Sequence, residues 1–130
     1  MSVHEALDRL EETYRLMVSA TLSDRLPDAA EILALRQRFA IEFGNLMLAL
    51  KDDLKGQGNH SLHDEVLDRL KTLRIRLMSY TLAWQPAQIE EDPLAYREAA
   101  EGMAEMVQRF ITDTRTLLKH AASGRDRGEP

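Results

Sequence analysis

Apolar residues recur every three or four positions through four long segments of this 130-residue sequence, and its glycines and prolines lie mainly between those segments. That spacing places the apolar side chains on one face of an α-helix. Only 6 Gly and 4 Pro occur, and strands have no obvious place in the pattern. The sequence therefore predicts an all-α fold, whose inner helix faces include Leu10, Leu46, Leu70 and Val107.

Four helix starts are marked by residues whose side chains can cap the free N–H groups of a first turn. The candidate pairs are Ser2 with Glu5, Asp28 with Glu31, Ser61 with Asp64, and Asp92 with Pro93. Short connections make successive helices antiparallel, so we expect an up-down-up-down four-helix bundle over residues 1–122. Residues 123–130 carry no apolar side chain and are predicted to form a disordered tail.

The composition excludes several classes of protein. The absence of Cys excludes disulfides, thiolate metal sites and cysteine nucleophiles. A net charge of −5 argues against non-specific nucleic-acid binding, which needs a basic face. The longest mostly apolar run, Phe39 to Leu50, is shorter than the roughly 20 residues that span a bilayer and contains Glu42. The first nine residues are acidic where a signal peptide is basic, so we expect a cytoplasmic protein that binds neither membrane nor nucleic acid.

The predicted inner faces carry almost no groups suited to chemistry. Helix bundles that bind metals project His and carboxylate side chains inward from facing helices. Here the first, second and fourth inner faces hold no ionisable residue, and the third holds only His63 and Arg74. We favour an Arg74 side chain that extends along the surface to water. The alternative is a buried cation paired with Glu42 or Asp113. We therefore predict no catalytic or cofactor-binding residue, and a protein that is not an enzyme.

The histidines all fall at one end of the predicted bundle, at His4, His60, His63 and His120. A surface metal site is one interpretation of this grouping, because imidazole is a common metal ligand. A simpler interpretation is that His120 interacts favourably with the C-terminal end of its helix and that His60 lies in a loop. We favour the simpler interpretation and assign no metal ligand.

The second predicted helix carries more apolar surface than one inner face requires. Ala34, Ile41 and Leu48 recur every seven residues on its outer side, and Gly44 between them allows close approach of another backbone. Ile75 and Leu82 add an outer strip on the third helix. These six residues predict an interface, either a closed two-fold homodimer or a groove for an amphipathic helix of a partner protein.

Two stretches of the sequence carry a resemblance to a known family. They are LRQRFAIEFGNLMLALKDDLKG at 35–56 and WQPAQIEEDPLAYREAAEGMAEMVQRFITDTRTLL at 84–118. Both resemble the hemerythrin-like HHE domain, particularly its bacterial stand-alone forms. In that family each corresponding helix carries a ligand His and a ligand Glu four residues later. The matching positions here hold Leu46 and Leu50, and Phe110 and Thr114. The resemblance therefore implies a degenerate member whose metal cavity is filled, without the family's di-iron site or oxygen binding.

Three functions follow from these observations as hypotheses. The first is a non-enzymatic interaction or regulatory module, without cofactors, that forms a homodimer through the second and third helices and binds a protein partner. The second is a metal- or oxygen-binding hemerythrin-like protein whose metal ligands are residues other than those at positions 46, 50, 110 and 114. The third is a small acidic helical chaperone for export or assembly.

Overall fold

The computed structural model describes residues 2–22, 26–56 and 58–126, and the secondary structure within these ranges is entirely helical. The predicted all-α class is confirmed. The elements are α1 (Val3–Leu22), α2 (Ala29–Leu50), a π-helical turn (Lys51–Lys55), α3 (His60–Ala83), α4 (Pro86–Glu91) and α5 (Pro93–Asp126). Within the described ranges, no helix combines the length and the apolar character that crossing a bilayer demands.

Three of the four predicted helix starts are confirmed. In each, a side-chain oxygen accepts a hydrogen bond from a backbone N–H of the first turn, which otherwise has no partner. The bonds run from Glu5 to Ser2 (3.1 Å), from Ala30 to Asp28 (3.0 Å) and from Ala95 to Asp92 (3.1 Å). Pro93 is the first residue of α5, where its missing N–H costs nothing.

The predicted cap of the third helix at Ser61 is wrong. Gly58 has a φ of 81°, which turns the chain, and α3 begins two residues later with Asn59 at the capping position. The helix starts as soon as the turn is complete, because the N–H of His63 already donates to the Asn59 carbonyl at 3.1 Å. Asp64, the predicted partner of Ser61, instead hydrogen-bonds His63 Nδ1 at 3.0 Å.

The end of the second predicted helix differs locally from a regular α-helix. Its last turn is π-helical, and the N–H of Gly56 donates to the Lys51 carbonyl five residues back at 2.9 Å. Leu54 in this turn is still buried, as its place on the inner face predicts. Asp53 Oδ2 accepts a hydrogen bond from the N–H of Val3 at 2.8 Å, so this turn also satisfies a free donor at the start of α1.

The link between the third and fourth predicted helices contains a helix that the sequence analysis did not predict. Pro86 ends the run of α3, as expected, but it also occupies a first helical position and opens α4. Ile89 in α4 is buried in a small second core formed with residues of α2 and α5. The other members of this second core are Ala29, Ile32, Tyr96 and Ala100.

The last helix is longer than predicted and continues to Asp126, so it includes residues 123–126 of the predicted tail. Residues 123–126 include no apolar residue, but they extend a helix that is already formed, and such an extension needs no new nucleation. Residues 127–130, the rest of that tail, lie outside the described residues.

The main core is formed by the predicted inner faces of the four long helices, and Leu10, Leu46, Leu70 and Val107 are all buried in it. The helices do not pack equally tightly. α2 packs chiefly against α1, and α3 chiefly against α5, whereas α2 and α3 touch each other only sparsely. The loose α2–α3 contact leaves space between these two helices.

Candidate functional site

The predicted interface residues lie exposed on α2 and α3, the two helices that touch each other only sparsely. Ile41, Leu48, Ile75 and Leu82 are between 62% and 73% exposed, and we call these four residues the outer patch. Ala34 and Gly44 are exposed on α2 as well. A β-carbon added at Gly44 would meet no atom of the chain within 4 Å, so the glycine is not required by packing within the protomer.

A cleft of about 560 Å³ opens where α2 and α3 separate. Its lining comes from all four long helices and is predominantly apolar. Ala40 and Gly44 on α2 and Met78 and Leu82 on α3 are among its lining residues. Four methionines contribute to the lining, namely Met17, Met47, Met78 and Met103. Methionine adapts its shape at low cost, so this cleft can adjust to what it contacts.

Arg36 is the most unusual residue of the cleft. Its Nη1 donates to the Trp84 carbonyl at 2.7 Å, and its guanidinium carbon lies 5.6 Å from the ring centre of Tyr80 and 5.9 Å from that of Tyr96. Both distances permit a cation–π interaction. Its Nε and Nη2 atoms are buried and have no hydrogen-bond partner among the described residues. A buried cation without an anion beside it is costly unless another group compensates its charge.

Tyr14 and Tyr80 line the same cleft as Arg36, and both phenols are neutral at physiological pH. Burial raises the pKa of Tyr14 above that of an exposed phenol, and the nearby charge of ionised Tyr96 raises it further. Burial also raises the pKa of Tyr80, as do its hydrogen bond with Tyr96 and the charge of that group, against a smaller opposing effect of Arg36. Tyr14 and Tyr80 therefore bring no negative charge into the cleft that contains the Arg36 guanidinium.

A second charged group, Glu11, joins α1 to α5. Glu11 is only 9% exposed, and its carboxylate accepts hydrogen bonds from Arg115 Nη1 at 3.0 Å and from Gln108 Nε2 at 3.2 Å. Arg115 Nη2 donates to Asp8 at 2.7 Å. Burial alone would raise the pKa of Glu11, but the hydrogen bonds from Gln108 and Arg115, and the arginine charges, outweigh burial and lower it.

The expectation that the first and second inner faces lack ionisable groups is wrong at Glu11 and Arg36. Glu11 lies four residues after Leu7, and Arg36 lies four residues after Ile32, so both are on the inner side of their helices. A pattern built from apolar residues alone overlooks them. Their long side chains bury apolar stems while the charged ends reach partners on other helices.

The charged residues predicted on the third helix behave differently. His63 is buried and hydrogen-bonds Asp64, whereas Arg74 is exposed and lines the cleft. The exposure of Arg74 agrees with the favoured interpretation, in which its side chain extends to water. The alternative pairing with Asp113 is not seen, because Asp113 lies 3.5 Å from Arg69 instead. Glu42 does not pair with Arg74 either, and its buried Oε2 has no hydrogen-bond partner among the described residues.

The four histidines predicted at one end of the bundle differ in their exposure. His4, His60 and His120 are exposed, in contrast to His63. The part of the chain that the structure describes contains no group of three or more His, Cys, Asp or Glu residues arranged to hold a metal ion.

The four positions that the hemerythrin-like register assigns to metal ligands all face the core. Leu46, Leu50 and Thr114 are completely buried, and Phe110 is nearly so. Thr114 Oγ1 has no hydrogen-bond partner among the described residues. Comparisons of the chain with protein-family models, with curated proteins and with solved structures found no match.

Proposed function

We propose that this protein is a non-enzymatic interaction module that associates with a second copy of itself through the outer patch. The observation that carries the proposal is the exposure of Ile41, Leu48, Ile75 and Leu82, each more than 60% accessible, on two neighbouring helices. Large apolar side chains grouped in this way on a surface mark interaction sites. A two-fold axis lets the same patch serve both partners, which makes it the commonest closed arrangement.

We further propose that the four long helices run up-down-up-down, with α4 as an insertion before the last of them. Hydrogen bonds between the elements support this order. They join Val3 to Asp53, Leu22 to Arg97, Asp8 to Arg115, and Arg36 to Trp84. The inward orientation of Leu46, Leu50, Phe110 and Thr114 supports a hemerythrin-like arrangement in which apolar packing replaces the metal site.

The non-enzymatic part of the proposal is supported by the contacts of the two inward charged groups. Glu11 bonds to Gln108 and Arg115 of α5. Arg36 donates to the carbonyl at the end of α3. The side chains of Glu11 and Arg36 therefore each bond one helix to another, as residues that stabilise a fold do.

Replacing two residues of the outer patch tests the self-association directly. We expect Ile41→Glu with Leu48→Glu to halve the mass measured by light scattering, because two buried carboxylates would face apolar side chains across the interface. The helical circular-dichroism signal should not change, since both side chains are exposed in the protomer. The matched control is Leu26→Glu with Leu94→Glu, at positions 66% and 68% exposed outside the patch. A double variant with the mass of the parent protein would refute the interface.

Gly44→Ala should change the stability of the protomer fold and the stability of the dimer in opposite directions. The protomer should become more stable by about 0.5–1 kcal/mol, because alanine favours a helix interior and the new β-carbon meets nothing. The dimer should become weaker and dissociate at a higher protein concentration than the wild-type dimer does, because the added methyl group keeps the backbone of the second copy from approaching α2 closely. Gly102→Ala in α5, where an added β-carbon also meets nothing, should stabilise the protomer equally and leave association unchanged. Sedimentation and urea denaturation measure the two effects, and equal dissociation of both variants would contradict the assignment of Gly44.

A further inference from the structure

We infer that the cleft between α2 and α3 binds an amphipathic monocarboxylate of the fatty-acid class, with the carboxylate on Arg36 and the acyl chain along the apolar lining. The cleft's volume of about 560 Å³ falls within the range of roughly 300–1,000 Å³ that is usual for small-molecule sites. Such sites combine an apolar lining with a few polar groups that fix orientation, as this one does.

The charges of the lining select an anion. Arg36 and Arg74 are the charged side chains among the lining residues, and no Asp or Glu is among them. This is notable in a chain whose net charge is −5. The exposed Arg74 attracts an anion from solvent, while the inner Arg36 has no carboxylate partner within the described ranges.

The edge of the Arg36 guanidinium that has no hydrogen-bond partner among the described residues matches a carboxylate in geometry. Its Nε–H and Nη2–H groups are parallel donors, and such a pair binds both oxygens of one carboxylate. Nη1 is already held by the Trp84 carbonyl, which fixes the plane of the group. Because Nε and Nη2 are buried, a carboxylate reaches them only when side chains beside the guanidinium shift.

The shape of the cleft favours a slender apolar chain over a partner helix. α2 and α3 still touch each other, although sparsely. An α-helix with its side chains is about 10–12 Å wide, so it would have to force these helices apart to reach the interior. An unbranched acyl chain passes between them and contacts Phe39, Leu77 and Met103, which line the cleft from three different helices.

Calorimetric titration with three ligands of equal chain length tests the inference. We expect decanoate to bind the wild-type protein roughly ten- to a hundredfold more tightly than decanol, because the carboxylate gains charged hydrogen bonds. Decyltrimethylammonium should bind no better than decanol. In Arg36→Met the preference for decanoate over decanol should disappear, since methionine keeps an apolar stem and removes the donors. Arg74→Met should weaken decanoate binding by no more than about fivefold, as expected for an exposed charge.

Two further variants separate the possible failures. Ala40→Phe adds a ring to the cleft lining and should abolish binding of both decanoate and decanol. Ile41→Glu with Leu48→Glu changes residues outside the lining and should retain decanoate binding even as a protomer. The proposed self-association and the proposed ligand site can therefore fail independently.

Equal affinity of the wild type for decanoate and decanol would overturn the role of Arg36. No binding of either ligand would overturn the site, and a circular-dichroism melt confirms that each variant is folded.

Discussion

Leu46→Ala should lower the free energy of unfolding by about 2–5 kcal/mol, the usual cost of truncating a fully buried leucine. Leu46 has no exposed surface and lies in the main core. Its position is also one at which the hemerythrin-like resemblance would place a metal ligand, so the measurement reports how far the core depends on an apolar side chain there. Urea denaturation followed by circular dichroism gives the change as a shift of the transition midpoint.

Leu94→Ala is the matched control for this truncation. The same atoms are removed, but Leu94 is 68% exposed in the first turn of α5, so the free energy of unfolding should change by about 0.5 kcal/mol or less. Similar losses for Leu46→Ala and Leu94→Ala would contradict the assignment of Leu46 to the core. A change in the slope of the transition would instead indicate that the denatured or native state had altered its compactness.

The fold class and most helix starts could be predicted because they depend on local sequence. Ser2, Asp28 and Asp92 cap helices through bonds to residues two or three positions away, and such spacing is visible in the sequence. The start of α3 was predicted two residues late, because it is set by the turn at Gly58, whose conformation the apolar pattern does not encode. α4 was missed for a related reason. Pro86 signals both the end of one helix and the possible start of another.

The cleft could not be predicted because it depends on how two helices fit together. Small residues at Ala40 and Gly44 leave space on the side of α2 that faces α3, yet small residues equally allow two helices to pack closely. Only the three-dimensional arrangement decides between these outcomes. Arg36 carries a partial signal, since it lies four residues after the buried Ile32 and three before the buried Phe39. A search for charged residues at such spacings would have found Arg36.

Glu11→Gln should lower the free energy of unfolding at pH 7 by about 1–3 kcal/mol, the range for hydrogen bonds to a charged group. The variant keeps the shape of the side chain but removes the charge that faces Arg115, and it leaves that guanidinium with Asp8 as its remaining acidic partner in this contact. Glu11 is nearly buried, so solvent screens the lost interaction only weakly. Thermal or urea denaturation at fixed ionic strength measures the loss.

The pH dependence distinguishes a loss of charge from a loss of packing. Since folding lowers the pKa of Glu11 from its ordinary value of 4.5, its ionisation contributes stability that is fully present above pH 4.5. That contribution disappears as the pH falls through the lowered pKa of the folded state. The difference in unfolding free energy between wild type and Glu11→Gln should therefore shrink as the pH falls below 4.5, whereas Glu12→Gln, at the exposed neighbouring position, should cost little at any pH. A difference that stayed constant over this range would show that Glu11 acts through shape alone, because a packing defect does not titrate.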